Sequence, residues 1–119
     1  MGTPFVWFDL TTTTDGDAEG VRDFYTHLFG WTIGPGMGDY QGWMTDAEQP
    51  WAGIVSTEAG TAGRWIPYVV VDDVDAAAKQ AIDLGGSVVR DKATGPTGTS
   101  VLITDPGGAV VALFTPSPR

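Results

Sequence analysis

The sequence predicts an α+β fold built from two copies of a strand–helix–strands module, related by a pseudo-twofold axis around a concave pocket. Three observations lead there. Asp17, Ala18, Val21, Leu28, Gly30 and Ile33 return as Asp73, Val74, Ala77, Leu84, Gly86 and Val89, at a constant offset of 56 residues. Each copy follows an apolar run that opens with tryptophan, at Trp7 and at Trp65. Each is followed by a similar tail, residues 46–55 and residues 105–114, at an offset of 59. A period of this length marks a duplicated supersecondary unit, and it governs how every other segment is read. The 119 residues form a single domain, with modules expected at 1–58 and 64–115.

The elements follow in order. Residues 5–10 are aromatic and apolar and form a strand. After a polar link, Asp17 caps a helix whose apolar face is Ala18, Val21, Phe24, Tyr25 and Leu28, and Gly30 ends it. A strand begins at Trp31, and Gly34, Pro35, Gly36 and Gly38 are expected to turn the chain. Residues 39–45 and 51–57 supply two further strands, and 58–63 is the most linker-like stretch. The second half repeats the pattern: a strand at 65–71, a helix from Asp73 or Asp75 to Leu84, and strands at 87–90, 99–104 and 109–114. The turn Asp105-Pro106-Gly107-Gly108 separates the last two.

Composition removes several classes of function. Fifteen acidic and six basic residues give a net charge of −9, which repels nucleic acid and anionic membrane surfaces. With no cysteine, neither disulfides nor thiolate chemistry is available. No apolar run approaches membrane-spanning length and the start lacks signal-peptide character, so the expected location is the cytoplasm. The glycines at 34, 36 and 38 lie between two strands, whereas a dinucleotide loop leads from a strand into a helix. The sole histidine, His27, falls off the helix's apolar stripe and is expected on the surface. Asp72 and Asp73, like Asp15 and Asp17, read as helix caps and first-turn charges.

Against this background, Asp17 with the run Phe24-Tyr25-x-x-Leu28-Phe29-Gly30-Trp31 resembles the first-helix signature of the vicinal oxygen chelate superfamily. That group includes glyoxalase I, bleomycin-resistance proteins and extradiol dioxygenases. Tyr68-x-x-Val71-Asp72-Asp73-Val74-Asp75 with Leu84-Gly85-Gly86 resembles its second repeat, and Asp105-Pro106-x-Gly108 with the ending Ala112-Leu113-Phe114 its last hairpin. The resemblance covers nearly the whole chain. It implies two βαβββ modules wrapped around a pocket, and a homodimer.

The resemblance also implies a metal, held by a His or Gln of each opening strand and a carboxylate of each closing strand. Aligned on the motifs, those places fall at about Phe8, Ile66, Gly53 and Ala112, none of which offers a lone pair. A shift of one residue brings in only Asp9, and a single carboxylate does not hold zinc or nickel. No metal and no other cofactor is therefore expected.

What remains distinctive is aromatic, since tryptophan occurs five times. Alternation from the vacated ligand places selects Phe8, Leu10, Trp51, Val55, Ile66, Tyr68, Val110 and Phe114 as pocket-facing. Trp7, Ile54, Val69, Val71 and Leu113 then pack under the helices. An apolar, aromatic concavity with one polar handle, Tyr68, suits a small flat organic ligand. The expected function is metal-free binding of such a molecule, in the manner of resistance by sequestration. The alternative is a metal-independent lyase, isomerase or cyclase using Tyr68 as acid and Asp9 as base. Catalytic residues are otherwise not identifiable.

Overall fold

The computed structural model describes residues 3–13, 18–37, 40–46, 49–57 and 63–117. The first module contains β1 (Trp7–Thr13), α1 (Ala18–Phe29), β2 (Thr32–Met37), β3 (Tyr40–Met44) and β4 (Pro50–Thr57). The second contains β5 (Arg64–Val70), α2 (Val74–Asp83), β6 (Ser87–Thr94), β7 (Gly98–Thr104) and β8 (Val110–Pro116). The fold is α+β, and the βαβββ order occurs twice. By compactness the chain divides at residues 65 and 66, inside β5, and residues 1–6 group with the second unit. Thr3 and Val6 explain that grouping, because their N–H groups donate to Val70 O at 3.3 Å and Tyr68 O at 2.9 Å. Of the expected linker at 58–63, residues 58–62 lie outside the described residues.

In the unit of residues 7–65 the strand order is β2-β3-β4-β1. β1 and β4 run parallel, with Asp9 beside Gly53 and Leu10 beside Ile54. Leu10, Trp43, Ala52 and Ile54 form the buried core, and Val21 and Tyr25 of α1 pack onto it one helical turn apart. The helix is rotated from the expected stripe: Phe24 and Leu28 are each 57% exposed, so α1 presents a narrow seam rather than a broad apolar face. Gly30 ends it at φ 73°, its N–H donating to Thr26 O. The expected Asp17 cap lies outside the described residues.

β2 departs from expectation, because Gly34, Pro35 and Gly36 are inside the strand rather than in a turn. Two physical features accommodate them. β2 is at the end of its unit's strand order, where proline's missing N–H is tolerated, and its ladder with β3 is irregular between Gly34 and Met37. Gly34 also leaves room for the Met44 side chain, whose Sδ an added Cβ would approach to 2.5 Å and so displace.

In the second unit the order is β5-β8-β7-β6, with β5 and β8 parallel and the remaining pairs antiparallel. Val74 of α2 is buried with Val101 and Leu113, and Ala77 and Ala78 pack against that cluster. Asp73 caps α2, its Oδ1 accepting from the N–H of Asp75 at 2.9 Å and of Ala76 at 3.3 Å. Gly85, at φ 99°, closes the helix, and Gly86 follows where a Cβ would meet Thr104 O at 2.3 Å. Asp105 shapes the last hairpin by accepting at Oδ1 from Gly107 N and Ala109 N. β6 runs on to Thr94, four residues past its expected end, and carries two register shifts against β7.

Candidate functional site

Strand register decides which side chains share a face, and here it settles the orientation of the expected site residues. In a parallel ladder, paired residues point to the same side. Leu10 and Ile54 are paired, and both lie in the core cluster with Val21 and Tyr25, so they face α1. Phe8 packs against the same cluster. Asp9, Gly53 and Val55 therefore point away from the helix. So does Trp7, whose Nε1–H donates to Asp9 Oδ1 at 2.9 Å.

The side of the sheet differs from expectation for three of the expected site residues. Phe8 and Leu10 face α1, not the opposite side, and Trp7 does not pack under the helix. β1 sits one residue out of step with the repeat that Trp7 and Trp65 suggest, and a shift of one residue reverses every side chain. Trp7 had been matched to Trp65, whereas the ladders match Asp9–Gly53 to Tyr68–Ala112, at the offset of 59 that the tails also show. Trp51 is the third correction, for a different reason. Trp43 pairs with Ala52 and Met44 with Pro50, which leaves Trp51 as the extra residue of a bulge. Alternation fails there, and Trp51 joins the α1-side ring cluster, 4.9 Å from Trp31 and 6.2 Å from Trp65.

That cluster accounts for most of the tryptophan content. Tyr25 stacks on Trp31 at 5.4 Å and meets Trp43 and Trp65 edge-on at 5.7 and 5.6 Å. Trp65 Nε1–H donates to Tyr25 Oη at 3.0 Å. Trp43 is fully buried, and its Nε1 has no hydrogen-bond partner among the described residues. These rings are a structural core. An open groove of about 480 Å³ runs beside it, lined by Leu10, Val21, Phe24, Tyr25 and Trp65 among others. Two of its polar groups serve the fold, since Thr11 Oγ1 is bonded to the backbone of Arg64 and Tyr25 Oη receives Trp65, while the exposed Arg64 also lines it.

The second unit carries a surface of different character. Tyr68 pairs with Ala112 and Ala112 with Leu102, while Phe114 pairs with Val70 and Ser100. The neighbouring residues Val69 and Leu113 pair on the α2 side, where Leu113 is buried against Val74. Tyr68, Ala112, Leu102, Phe114 and Ser100 therefore point away from α2, joined by alternation by Ile66 and Val110. Tyr68 and Phe114 meet edge-on with centroids 6.1 Å apart. Arg90 pairs with Leu102 on the same face, and its Nη2–H donates to Ser100 Oγ at 2.7 Å. Arg90 and Ser100 were not anticipated from the sequence. Bulges displace β6 by a residue on either side of Arg90, so alternation from Ser87 does not reveal its orientation.

A transition metal does not fit these residues. Asp9 occupies the ladder position beside Gly53, where Phe8 had been expected, and it is a buried carboxylate. Its counterpart is Tyr68, and the partners Gly53 and Ala112 bring no donor atoms. No group of three or more His, Asp or Glu side chains converges among the described residues. His27 is on the exposed surface of α1, its Nδ1 bonded to Asp23 O at 2.8 Å.

Comparison with known proteins agrees with the fold. Residues 9–114 match the glyoxalase-like domain family. The chain is 36% identical to the "Putative glyoxylase CFP32" of Mycobacterium bovis over 96% of its own length and 46% of that protein. It is 30% identical to the "Anthracycline biosynthesis protein DnrV" of Streptomyces peucetius, over 91% of its length and 45% of that protein. The chain thus spans about half the length of these relatives. Among solved structures, an extradiol ring-cleaving dioxygenase from B. fuscum shares the fold with a TM-score of 0.61 at 19% identity, covering 96% of this chain and 32% of that one. This chain belongs to the glyoxalase-like domain family, within the vicinal oxygen chelate superfamily.

Proposed function

We propose that this protein binds a small, flat organic molecule without the help of a transition metal, on the Tyr68 face of its second module. The observation that carries the reading is the composition of that face. Two half-buried aromatic rings, Tyr68 and Phe114, stand beside Val110, Ala112 and Leu102, with polar groups supplied by Tyr68, Ser100, Arg90 and the bonded pair Thr104 and Ser87. Apolar area with a few placed polar groups is what small-molecule recognition requires. The name of one relative links that protein to anthracycline biosynthesis, and a small organic ligand here accords with that name. Ile66 and Val55 remain candidate contacts. Sequestration is the biological role this reading favours, in a homodimer.

The test is to identify small molecules that copurify by mass spectrometry, then titrate them calorimetrically. A stoichiometric complex that survives chelator and shows no turnover supports the proposal. Product formation would sink sequestration.

One observation favours the alternative of a metal-independent lyase, isomerase or cyclase. Asp9 is 6% exposed and oriented by Trp7, and a buried, positioned carboxylate is a form that general bases take.

A further inference from the structure

We infer that the ligand carries an anionic group, a carboxylate, held by the outer edge of the Arg90 guanidinium. The inference rests on the reading that the Tyr68 face binds a ligand, and it adds the ligand's charge. Tyr68, Ala112, Leu102 and Arg90 occupy one row across β5, β8, β7 and β6, all turned away from α2. Arg90 is half-buried at the end of that row.

Its bonds are arranged asymmetrically. Nη1–H donates to Asp91 O at 2.8 Å and to Ser100 O at 3.5 Å, and Nη2–H donates to Ser100 Oγ at 2.7 Å. The end of the guanidinium therefore grips Ser100. A guanidinium carries five N–H donors in a rigid plane. In this plane Nε–H runs parallel to one N–H of the neighbouring Nη, and among the described residues Nε–H makes no bond and the Nη nitrogens bond only Asp91 and Ser100. Among the described residues no carboxylate pairs with Arg90 either, although acidic residues outnumber basic ones by 15 to 6.

Two parallel N–H donors fit the two oxygens of a carboxylate. Ser100 fixes the plane in advance, so little side-chain freedom is lost on binding. In a chain of net charge −9, this is a local exception to a field that otherwise repels anions. The aromatic body of the ligand would lie toward Phe114 and Tyr68, along the row.

The experiment uses the intact chain and two probes of the same shape, 2-naphthoate and neutral 2-naphthamide, followed by amide chemical shifts. Naphthoate is expected to bind the parent at least about tenfold more tightly, the scale of a charge-assisted pair, with shifts at residues 68, 100–102 and 112–114. Arg90→Gln should bring the two probes to equal affinity. Equal affinities in the parent would overturn the anionic assignment while leaving the ligand face intact. Absence of shifts on that face with either probe would overturn both. Because Arg90 also bonds β6 and β7 backbone, Ser100→Ala serves as a second variant that keeps the charge but frees the plane. It should weaken naphthoate several-fold and leave naphthamide unchanged. No change in naphthoate affinity would count against the assignment.

Discussion

Trp51 lies over Trp65, with ring centroids 6.2 Å apart and planes 11° from parallel, on the side of its sheet that faces α1. Its role is therefore in stability. Trp51→Ala removes a ring from the cluster around Tyr25 and Trp31, and an aromatic truncation of this kind costs about 3 kcal/mol. Denaturant unfolding should show that loss. Ligand affinity in the folded variant should stay within about twofold of the parent, a difference below 0.5 kcal/mol. A tenfold loss of affinity would mean that the groove beside α1, rather than the Tyr68 face, takes the ligand.

The repeat made the order of elements legible, because Asp73, Gly30 and Asp105 carry local signals that act within a few residues. A cap, a positive-φ stop and an Asx turn need no knowledge of the rest of the chain. Side-chain direction was less legible. It depends on register, and the chance match of Trp7 with Trp65 displaced β1 by one residue against the true match of Asp9 with Tyr68. The bulge at Trp51 breaks the alternation from which its direction was expected, and the bulges around Arg90 hide that residue's direction from any such pattern. In β2, Gly34 looked like a turn residue because the sequence does not show Met44 lying across it.

Two glycines should respond very differently to alanine. Gly108 has φ 93° and nothing within 4 Å of an added Cβ, so Gly108→Ala carries backbone strain alone, about 1–2 kcal/mol. Gly86 lacks a left-handed backbone, but its added Cβ would press to 2.3 Å from Thr104 O and 3.1 Å from Ala81 O. Backbone atoms cannot yield as a flexible side chain does. Gly86→Ala should be the more damaging change, and thermal melts of the two variants measure the order directly.

The ion pair between Lys92 and Asp75, 2.9 Å long, gives a pH dependence of known sign. The hydrogen bond to Asp75, with its charge, raises the Lys92 pKa above 10.5. Protonated lysine is thus favoured in the folded state, so the contribution is complete below that value and lost as pH rises through the folded pKa. Both side chains are at least half exposed, and salt screens them. Lys92→Gln should lower the melting temperature slightly at pH 7 in low salt. That difference should shrink above pH 10.5 and in high salt. A difference that grew with pH would contradict the assignment.

Asp9→Asn separates the two functional readings most directly. Asp9 stands at the ladder position that Tyr68 holds in the other module, and its Oδ1 accepts from Trp7. An asparagine oxygen can accept the same bond, so the substitution removes charge and basicity while leaving the Trp7 contact available. If the protein sequesters its ligand on the Tyr68 face, affinity should change by less than about twofold, well under 1 kcal/mol. If Asp9 is instead a general base, turnover should fall by about 10²–10⁴-fold, because proton transfer to a positioned side chain supplies acceleration of that size. The same variant tests the metal reading. Asp9 is the one carboxylate at either ladder position, so a bound metal would depend on it and chelator would lower the melting temperature of the parent alone. Both proteins are expected to melt identically with and without chelator, since one carboxylate beside glycine cannot assemble the convergent donors that a transition metal requires.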